Sequence, residues 1–239
     1  MQEETLTTIW EDNAITRQEE KFTNFNPFGK SNKMFIKGKM ETELEFSHET
    51  FGEKFYRTKV RVTRNSGVDD HIPVIVSELL IQKDLINKSF KDKWTEIFGE
   101  FRAYSKVGGD ENKHVELYLF AKKINIYNDM TKYEITESEN LIYLDGCICK
   151  PPIFRQTPFG KFITDLRIEI KRTYNLSDWI PCIAWGRIAL WTSELQIGDR
   201  VEILGRVQSR EYFKRYSEDS EDGEYKEISE VSIKAIHKF

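Results

Sequence analysis

The stretch FITDLRIEIK, residues 162–171, decides the fold. Phe162, Thr164, Leu166, Ile168 and Ile170 alternate with Ile163, Asp165, Arg167, Glu169 and Lys171. A period of two is that of a strand with one buried face. Downstream, residues 179–185 form a second strand, rich in aromatic and apolar side chains. Residues 187–195 suit two or three helical turns, ended by Ile197-Gly198-Asp199. Val201, Ile203 and Val207 alternate across a further strand, and Gly205 within it marks a bulge or tight bend. Residues 228–236 make a last strand and residues 140–148 a first one. The predicted order is three strands, a short helix, then two strands.

The same pattern occurs upstream. Asn32-Lys33-Met34-Phe35-Ile36-Lys37-Gly38 reappears as Asn140-Leu141-Ile142-Tyr143-Leu144-Asp145-Gly146, an offset of 108. Thr50-Phe51-Gly52-Glu53-Lys54-Phe55 returns near Thr157-Pro158-Phe159-Gly160-Lys161-Phe162 with a slip of one residue. Asp70-His71-Ile72-Pro73-Val74-Ile75 matches Asp178-Trp179-Ile180-Pro181-Cys182-Ile183, again at 108. Glu96-Ile97-Phe98-Gly99-Glu100-Phe101 matches Glu202-Ile203-Leu204-Gly205-Arg206-Val207 at 106. Four echoes in one order indicate a tandem duplication.

Strand order with a helix between strands three and four is that of the OB-fold, a five-stranded barrel. The expected architecture is all-β: two tandem OB-fold barrels, each with a short helix between strands 3 and 4. In copy one that helical stretch is longer, residues 78–91. The boundaries are a polar N-terminal segment 1–31, a first domain 32–127, a linker 128–139 and a second domain 140–239. The run 127–139 has 13 residues and reaches about 43 Å when extended. The N-terminal segment carries six acidic and three basic side chains. It reads equally as a tail, as a strand on copy one, or as a peptide for a partner.

The chain has 239 residues, 39% hydrophobic and 32% charged, so it can bury a core and is not disordered throughout. The 36 Lys and Arg against 40 Asp and Glu give a net charge of −4, which excludes a uniformly basic nucleic-acid binder but not a locally basic one. No run approaches the ~20 apolar residues of a membrane span. The first residues lack the basic-then-apolar order of a signal peptide. With an odd count of cysteines, Cys147, Cys149 and Cys182, this predicts reduced thiols and a cytoplasmic, nucleoid-associated protein. Cys147 and Cys149 are read as small buried side chains on one strand face. The spacing suits no zinc ribbon, and His48, His71, His114 and His237 form no ligand pattern. Neither a metal nor another cofactor is expected.

Copy two contains TPFGKFITDLRIEIKR, DWIPCIAWGRIA and IGDRVEILGRVQSREY. Their TP-x-G-K turn, D-W-x-P-x-x-x-W-G strand and G-D-R-V…G-R-V-Q-S-R-x-Y arm resemble the bacterial-type single-stranded-DNA-binding protein family. The resemblance spans roughly residues 140–236 and is only partial in copy one. The residues agree with it on physical grounds. Unpaired bases stack on aromatic rings at about 1–3 kcal/mol each, and Lys and Arg follow the phosphates. Copy two interleaves Lys171, Arg172 and Tyr174, then Trp179, Trp185 and Arg187, then Arg206, Arg210, Tyr212 and Lys214. Residues 141–216 hold 12 basic and 8 acidic side chains, a local +4.

By the resemblance, stacking aromatics fall on Trp179, Trp185, Tyr212 and Tyr174. Basic contacts fall on Arg155, Lys161, Arg172, Arg187, Arg206 and Arg210. Trp179 and Trp185 are six residues apart, so both face the core or both face outward unless a bulge intervenes. Trp191, in the helical stretch, is read as packing. In copy one His71 stands for Trp179 and Ser77 for Trp185. Copy one gains Arg57, Lys59 and Arg61, which read as a solvated strand face or as an extension of the phosphate track.

The expected activity is sequence-tolerant binding of single-stranded DNA in replication, recombination or repair, without catalysis. No nucleophile–base pair, phosphate loop or metal-type carboxylate pair is present in the sequence. The alternatives are an OB-fold module that docks proteins in a replication or mobile-element complex, and an RNA-binding regulator. Family members pair their first strands as dimers, which residues 33–37 and 141–145 would do within one chain. Two chains would then supply four barrels. Family members usually end in an acidic tip, whereas residues 236–239 are basic, so recruitment of replication or repair proteins by that route is not expected. The acidic run 217–224 reads as a solvated hairpin tip or as a competitor for the basic groove.

Overall fold

Alternating apolar residues make both halves of the chain β, and the two halves close in the same way. The computed structural model describes residues 8–9, 31–81, 89–107, 113–127, 137–215 and 222–239. A two-residue strand β1 (Thr8–Ile9) precedes the first half, which comprises β2 (Asn32–Met40), β3 (Glu45–Thr50), β4 (Glu53–Thr63), β5 (Asp69–Ser77), β6 (Trp94–Val107) and β7 (Lys113–Tyr127). The second half comprises β8 (Glu139–Ile148), β9 (Ile153–Gln156), β10 (Phe162–Lys171), β11 (Ser177–Trp185), helix α1 (Gly186–Thr192), β12 (Arg200–Arg215) and β13 (Gly223–Lys238).

In the first half β2 pairs with β4, β4 with β5, β5 with β7, β7 with β6, and β6 with β2. In the second half β8, β10, β11, β13 and β12 repeat that cycle. Among the described strands, only β5–β7 and β11–β13 pair in parallel. Each half is therefore a closed five-strand ring, with β3 or β9 added at the edge of its second strand. The all-β expectation holds.

The interiors follow from the alternation. Met34, Ile36, Val60, Ile72, Val74, Ile97 and Leu119 fill the first ring; Ile142, Leu144, Ile168, Ile170, Ile180, Cys182, Val201 and Ile203 fill the second. Each such side chain contributes roughly 1.5–3 kcal/mol on burial. The register of β6 shifts between Phe98 and Gly99, and that of β12 between Leu204 and Gly205. A Cβ on Gly99 would strike the Phe120 carbonyl oxygen, and one on Gly205 that of Ser232. Only a residue without a side chain allows the strands to cross so closely, which explains the repeated glycine.

Beyond each bulge an asparagine takes over the ladder. Asn32 donates to the Phe101 carbonyl at 2.7 Å and accepts the Phe101 N–H at 2.9 Å. Asn140 does the same to Val207, at 2.6 and 3.0 Å.

The two rings join through their first strands. β2 and β8 run antiparallel, from Asn32 opposite Leu144 to Lys37 opposite Glu139. Met34 lies opposite Ile142, its own counterpart in the repeat, so a pseudo-two-fold axis passes through that pair. Lys37 and Glu139 close the junction with a 2.8 Å ion pair. On its outer side Phe98, Leu141, Leu204 and Ala235 form a second small apolar cluster against Phe35 and Tyr143.

Two expectations need correction. Where a helix is expected over 78–91, the described residues hold one 3-10 turn, Glu78–Leu80, capped by the Ser77 hydroxyl; Ile81 is already extended, and Ser89 and Phe90 are not helical. Residues 82–88 lie outside the described part. Cys147 and Cys149 are half-buried, not buried; Cys149 is past the end of β8, where its Sγ donates to the Arg167 carbonyl at 3.3 Å. Of the N-terminal segment, left open between tail, strand and partner peptide, the described residues Thr8–Ile9 pair with the second ring, Ile9 opposite Ile236. The linker 128–136 and most of the acidic run, 217–221, lie outside the described residues. No described helix is long and apolar enough to cross a membrane.

Candidate nucleic-acid interface

The interface is built on β10 and β11. Leu166, Ile168 and Ile170 of β10 and Ile180, Cys182 and Ala184 of β11 point into the ring, so the intervening residues face outward. Trp179 is 50% and Trp185 39% exposed, which decides the alternative in favour of the outer face. Ile183 shares that face yet is buried, outside the main core. Six residues of strand separate the two indoles by about 20 Å.

Between them, opposite Pro181, lies the exposed Arg167. Glu169 stands opposite Trp179 and accepts the Ser177 hydroxyl at 2.7 Å. Across β10 from Trp185, Arg155 of β9 is held by Asp165 at 2.7 Å. That contact raises the pKa of Arg155.

The remaining expected residues divide into four groups. Lys161, Lys171 and Arg187 are exposed, at the end of the 157–161 turn, the end of β10 and the first turn of α1. Arg210 is half-exposed and donates from Nε to Glu230 at 3.2 Å. Tyr212 and Lys214 sit on β12 opposite Lys226 and Glu224, and Tyr174 in a 3-10 turn; their side chains lie outside the described part. Arg172 and Arg206 do not face solvent as free cations. Both belong to the contact between the rings.

That contact is reciprocal. Asp70 of β5, fully buried, accepts the backbone N–H of Ser209 in β12 at 2.9 Å. Asp178 of β11, its repeat counterpart and equally buried, accepts the N–H of Ala103 in β6 at 2.9 Å. Each ring thus caps the fourth strand of the other with a carboxylate.

The cations differ between the two sites. Asp70 is bound by Arg64 through both Nε and Nη2, at 2.8 and 2.5 Å, and by Arg206 of the other ring at 3.1 Å. Among the described residues the one ion-pair partner of Asp178 is Arg172, whose Nε lies 3.2 Å away but is not aligned for a hydrogen bond. Where Arg206 would have its counterpart stands Glu100, itself held by Arg102. Burial raises the pKa of Asp178, against the Ala103 N–H and Arg172, which lower it. Burial, with Arg64 nearby, lowers the pKa of Arg206.

In copy one the equivalent positions do other work. His71 lies within 2.7 Å of Glu41, and its N–H donates to the Ser209 hydroxyl. Ser77 is buried; its hydroxyl caps the 3-10 turn and donates to Glu53. The basic row of β4 is matched by acids. Arg57 meets Glu45 at 3.0 Å, Lys59 meets Glu227 of the other ring at 2.7 Å, and Arg61 lies 4.0 Å from Asp69 and Asp92.

Residues that the motif reading passed over include Arg167, which its place in the outward alternation identifies, and exposed Tyr104 of β6. Asp70 and Asp178 were visible as the first residue of a repeated hexapeptide. Nothing in that hexapeptide shows that they reach across to the other ring.

Residues 139–237 match the model of the Single-strand binding protein family. No curated protein matches the chain. Among solved structures, the wild-type single-stranded DNA binding protein from Thermus aquaticus is 17% identical, with 87% of this chain and 92% of that one covered and a TM-score of 0.67. A deletion mutant of the same protein gives 17%, 87%, 94% and 0.62. At that identity the likeness is one of fold. The N-terminal domain of PriB protein from Thermoanaerobacter tencongensis is 32% identical over 41% of this chain and 98% of its own, with a TM-score of 0.34. The second ring, residues 139–237, is thus the part of this chain that is similar in sequence to the single-strand binding protein family.

Proposed function

We propose that the chain binds single-stranded DNA with little sequence preference, as a binding protein and not an enzyme. One observation carries the reading. Trp179 and Trp185 both stand outward on β11, the third strand of the ring that matches the family. An exposed indole costs solvation and gives a base somewhere to stack, at about 1–3 kcal/mol per base. Lys161, Lys171 and Arg187 surround that face and supply phosphate contacts, with Arg210 on the arm beside it. Arg155 takes part by exchanging Asp165 for phosphate, and Tyr174, Tyr212 and Lys214 extend the track.

The two rings are read as OB barrels in tandem, with boundaries near 32–127 and 140–239. The second is the principal DNA-binding barrel, and the first completes an intrachain dimer through β2 and β8. Two chains would present four barrels. Such a protein would cover exposed strands during replication, recombination or repair.

The test is fluorescence anisotropy with labelled oligo(dT), oligo(rU) and duplex DNA across a salt series. Preference for oligo(dT) and a negative salt slope support the reading. Equal or tighter binding of oligo(rU) would favour the RNA alternative, and no binding at low salt the protein-docking one.

A further inference from the structure

The two rings enclose a cleft of about 900 Å³, and charged and aromatic side chains line its walls. One wall carries Arg57, Lys59 and Tyr104 of the first ring; the other carries Arg167, Arg172 and Trp179 of the second. Trp179 therefore belongs to two surfaces at once, the outer face of β11 and the mouth of this cleft. A strand stacked on Trp179 has the cleft as its continuation.

The cations on these walls are not equally available. Lys59 and Arg167 are counterparts in the repeat, each opposite the conserved-in-repeat proline of the neighbouring strand, Pro73 or Pro181. Arg167 has no carboxylate partner among the described residues. Lys59 is bound at 2.7 Å to Glu227, which reaches over from β13 of the other ring. Arg57 is bound to Glu45 at 3.0 Å within its own ring. Glu116 and Glu230 also face the cleft; Glu116 accepts the Tyr118 hydroxyl, and Glu230 accepts from Gln208 and Arg210. Acids thus occupy Arg57 and Lys59 of the first ring. The Lys59–Glu227 pair spans the cleft from one ring to the other.

We infer that this cleft is a second binding channel for single-stranded nucleic acid and that the Lys59–Glu227 ion pair is its latch. The inference rests on the function proposed above. A strand leaving Trp179 meets Arg167 first, then displaces Glu227 and takes Lys59 with a phosphate. The pair is partly exposed, at 43% and 27% of the two side chains, so opening it costs little. This gives the first ring a part in binding although it has no tryptophan on its third strand. It contributes charge, released only when a strand is long enough to arrive.

The test is a double-mutant cycle on the full chain with labelled oligo(dT) at low salt. One oligonucleotide has about 10 nucleotides, within one barrel's reach, and the other about 30, enough for two. Glu227→Gln should tighten binding of the long one by about two- to fivefold and leave the short one unchanged. In a Lys59→Gln background the same substitution should do nothing. A gain that persists without Lys59, or that is equal for both lengths, is a general charge effect and overturns the latch. Arg167→Gln should weaken the long complex; unchanged affinity overturns the channel. If oligo(dT) binds and the Trp179→Ala variant weakens it while all three cleft variants are silent, the cleft inference alone fails. If the wild type binds no oligo(dT), both readings fail together.

Discussion

Asp70 and Asp178 occupy equivalent places in the repeat, yet the structure makes them unequal. Asp70→Ala removes the acceptor of the Ser209 N–H and leaves Arg64 and Arg206 without the carboxylate that binds them. Breaking one side of a buried ion pair costs about 3–5 kcal/mol, because the remaining charges stay desolvated. Asp178→Ala also orphans one N–H, that of Ala103, but its carboxylate is bound by a single misaligned arginine and disfavoured by its own burial. The cost there is that of one unsatisfied buried group, about 1–3 kcal/mol. Equilibrium urea unfolding, followed by both far-ultraviolet circular dichroism and tryptophan fluorescence, measures the two variants side by side. Asp70→Ala should be the less stable by roughly 2 kcal/mol, the difference between those two ranges. Equal losses, or a larger loss for Asp178→Ala, would refute the claim that Arg206 and Arg64 make the two locks different.

Other consequences can be measured with the same material. Because burial raises the pKa of Asp178, the folded protein holds that proton more tightly than the unfolded chain. Its contribution is therefore full below the unfolded value of about 3.9 and declines as pH rises through the folded value. The stability gap between wild type and Asp178→Ala should narrow over that window, and a gap that widens contradicts the assignment. Gly205→Ala should destabilise by about 1–3 kcal/mol, since its Cβ meets the Ser232 backbone; a neutral substitution would show that the bulge tolerates a side chain. Arg206→Gln should lower the melting temperature and leave the salt dependence of DNA binding unchanged. Arg187→Gln should do the reverse, reducing the slope of log K against log salt by about 0.7.

Much of this architecture was legible because it depends on period and repetition. The alternation in 162–171 placed β10, and the offset of 108 placed β2, β5, β8 and β11 together. Gly205 announced a bulge, and Gly99 repeats it, because close strand crossing excludes a side chain. The pairing of residues 33–37 with 141–145 was expected from the resemblance and is present as β2–β8. The orientation of Trp179 and Trp185 was not legible. Their spacing guarantees a common face but not which one, and the core residues of β10 and β11 decide it.

Arg172 and Arg206 were read as phosphate contacts for a related reason. A guanidinium suits a phosphate or a buried aspartate equally well, and the aspartates that claim these two come from folding, not from neighbouring sequence. The helix expected over 78–91 failed at Ile81, where the chain turns extended directly after one capped turn.

The most direct test of the central claim is tryptophan fluorescence during titration with oligo(dT), for wild type and for a Trp179→Ala, Trp185→Ala variant. Strong quenching is expected in the wild type, weakened by salt, with loss of most of both quenching and affinity in the variant. Affinity retained by the variant would mean that DNA lies elsewhere, and the outer face of β10 and β11 would not be the site.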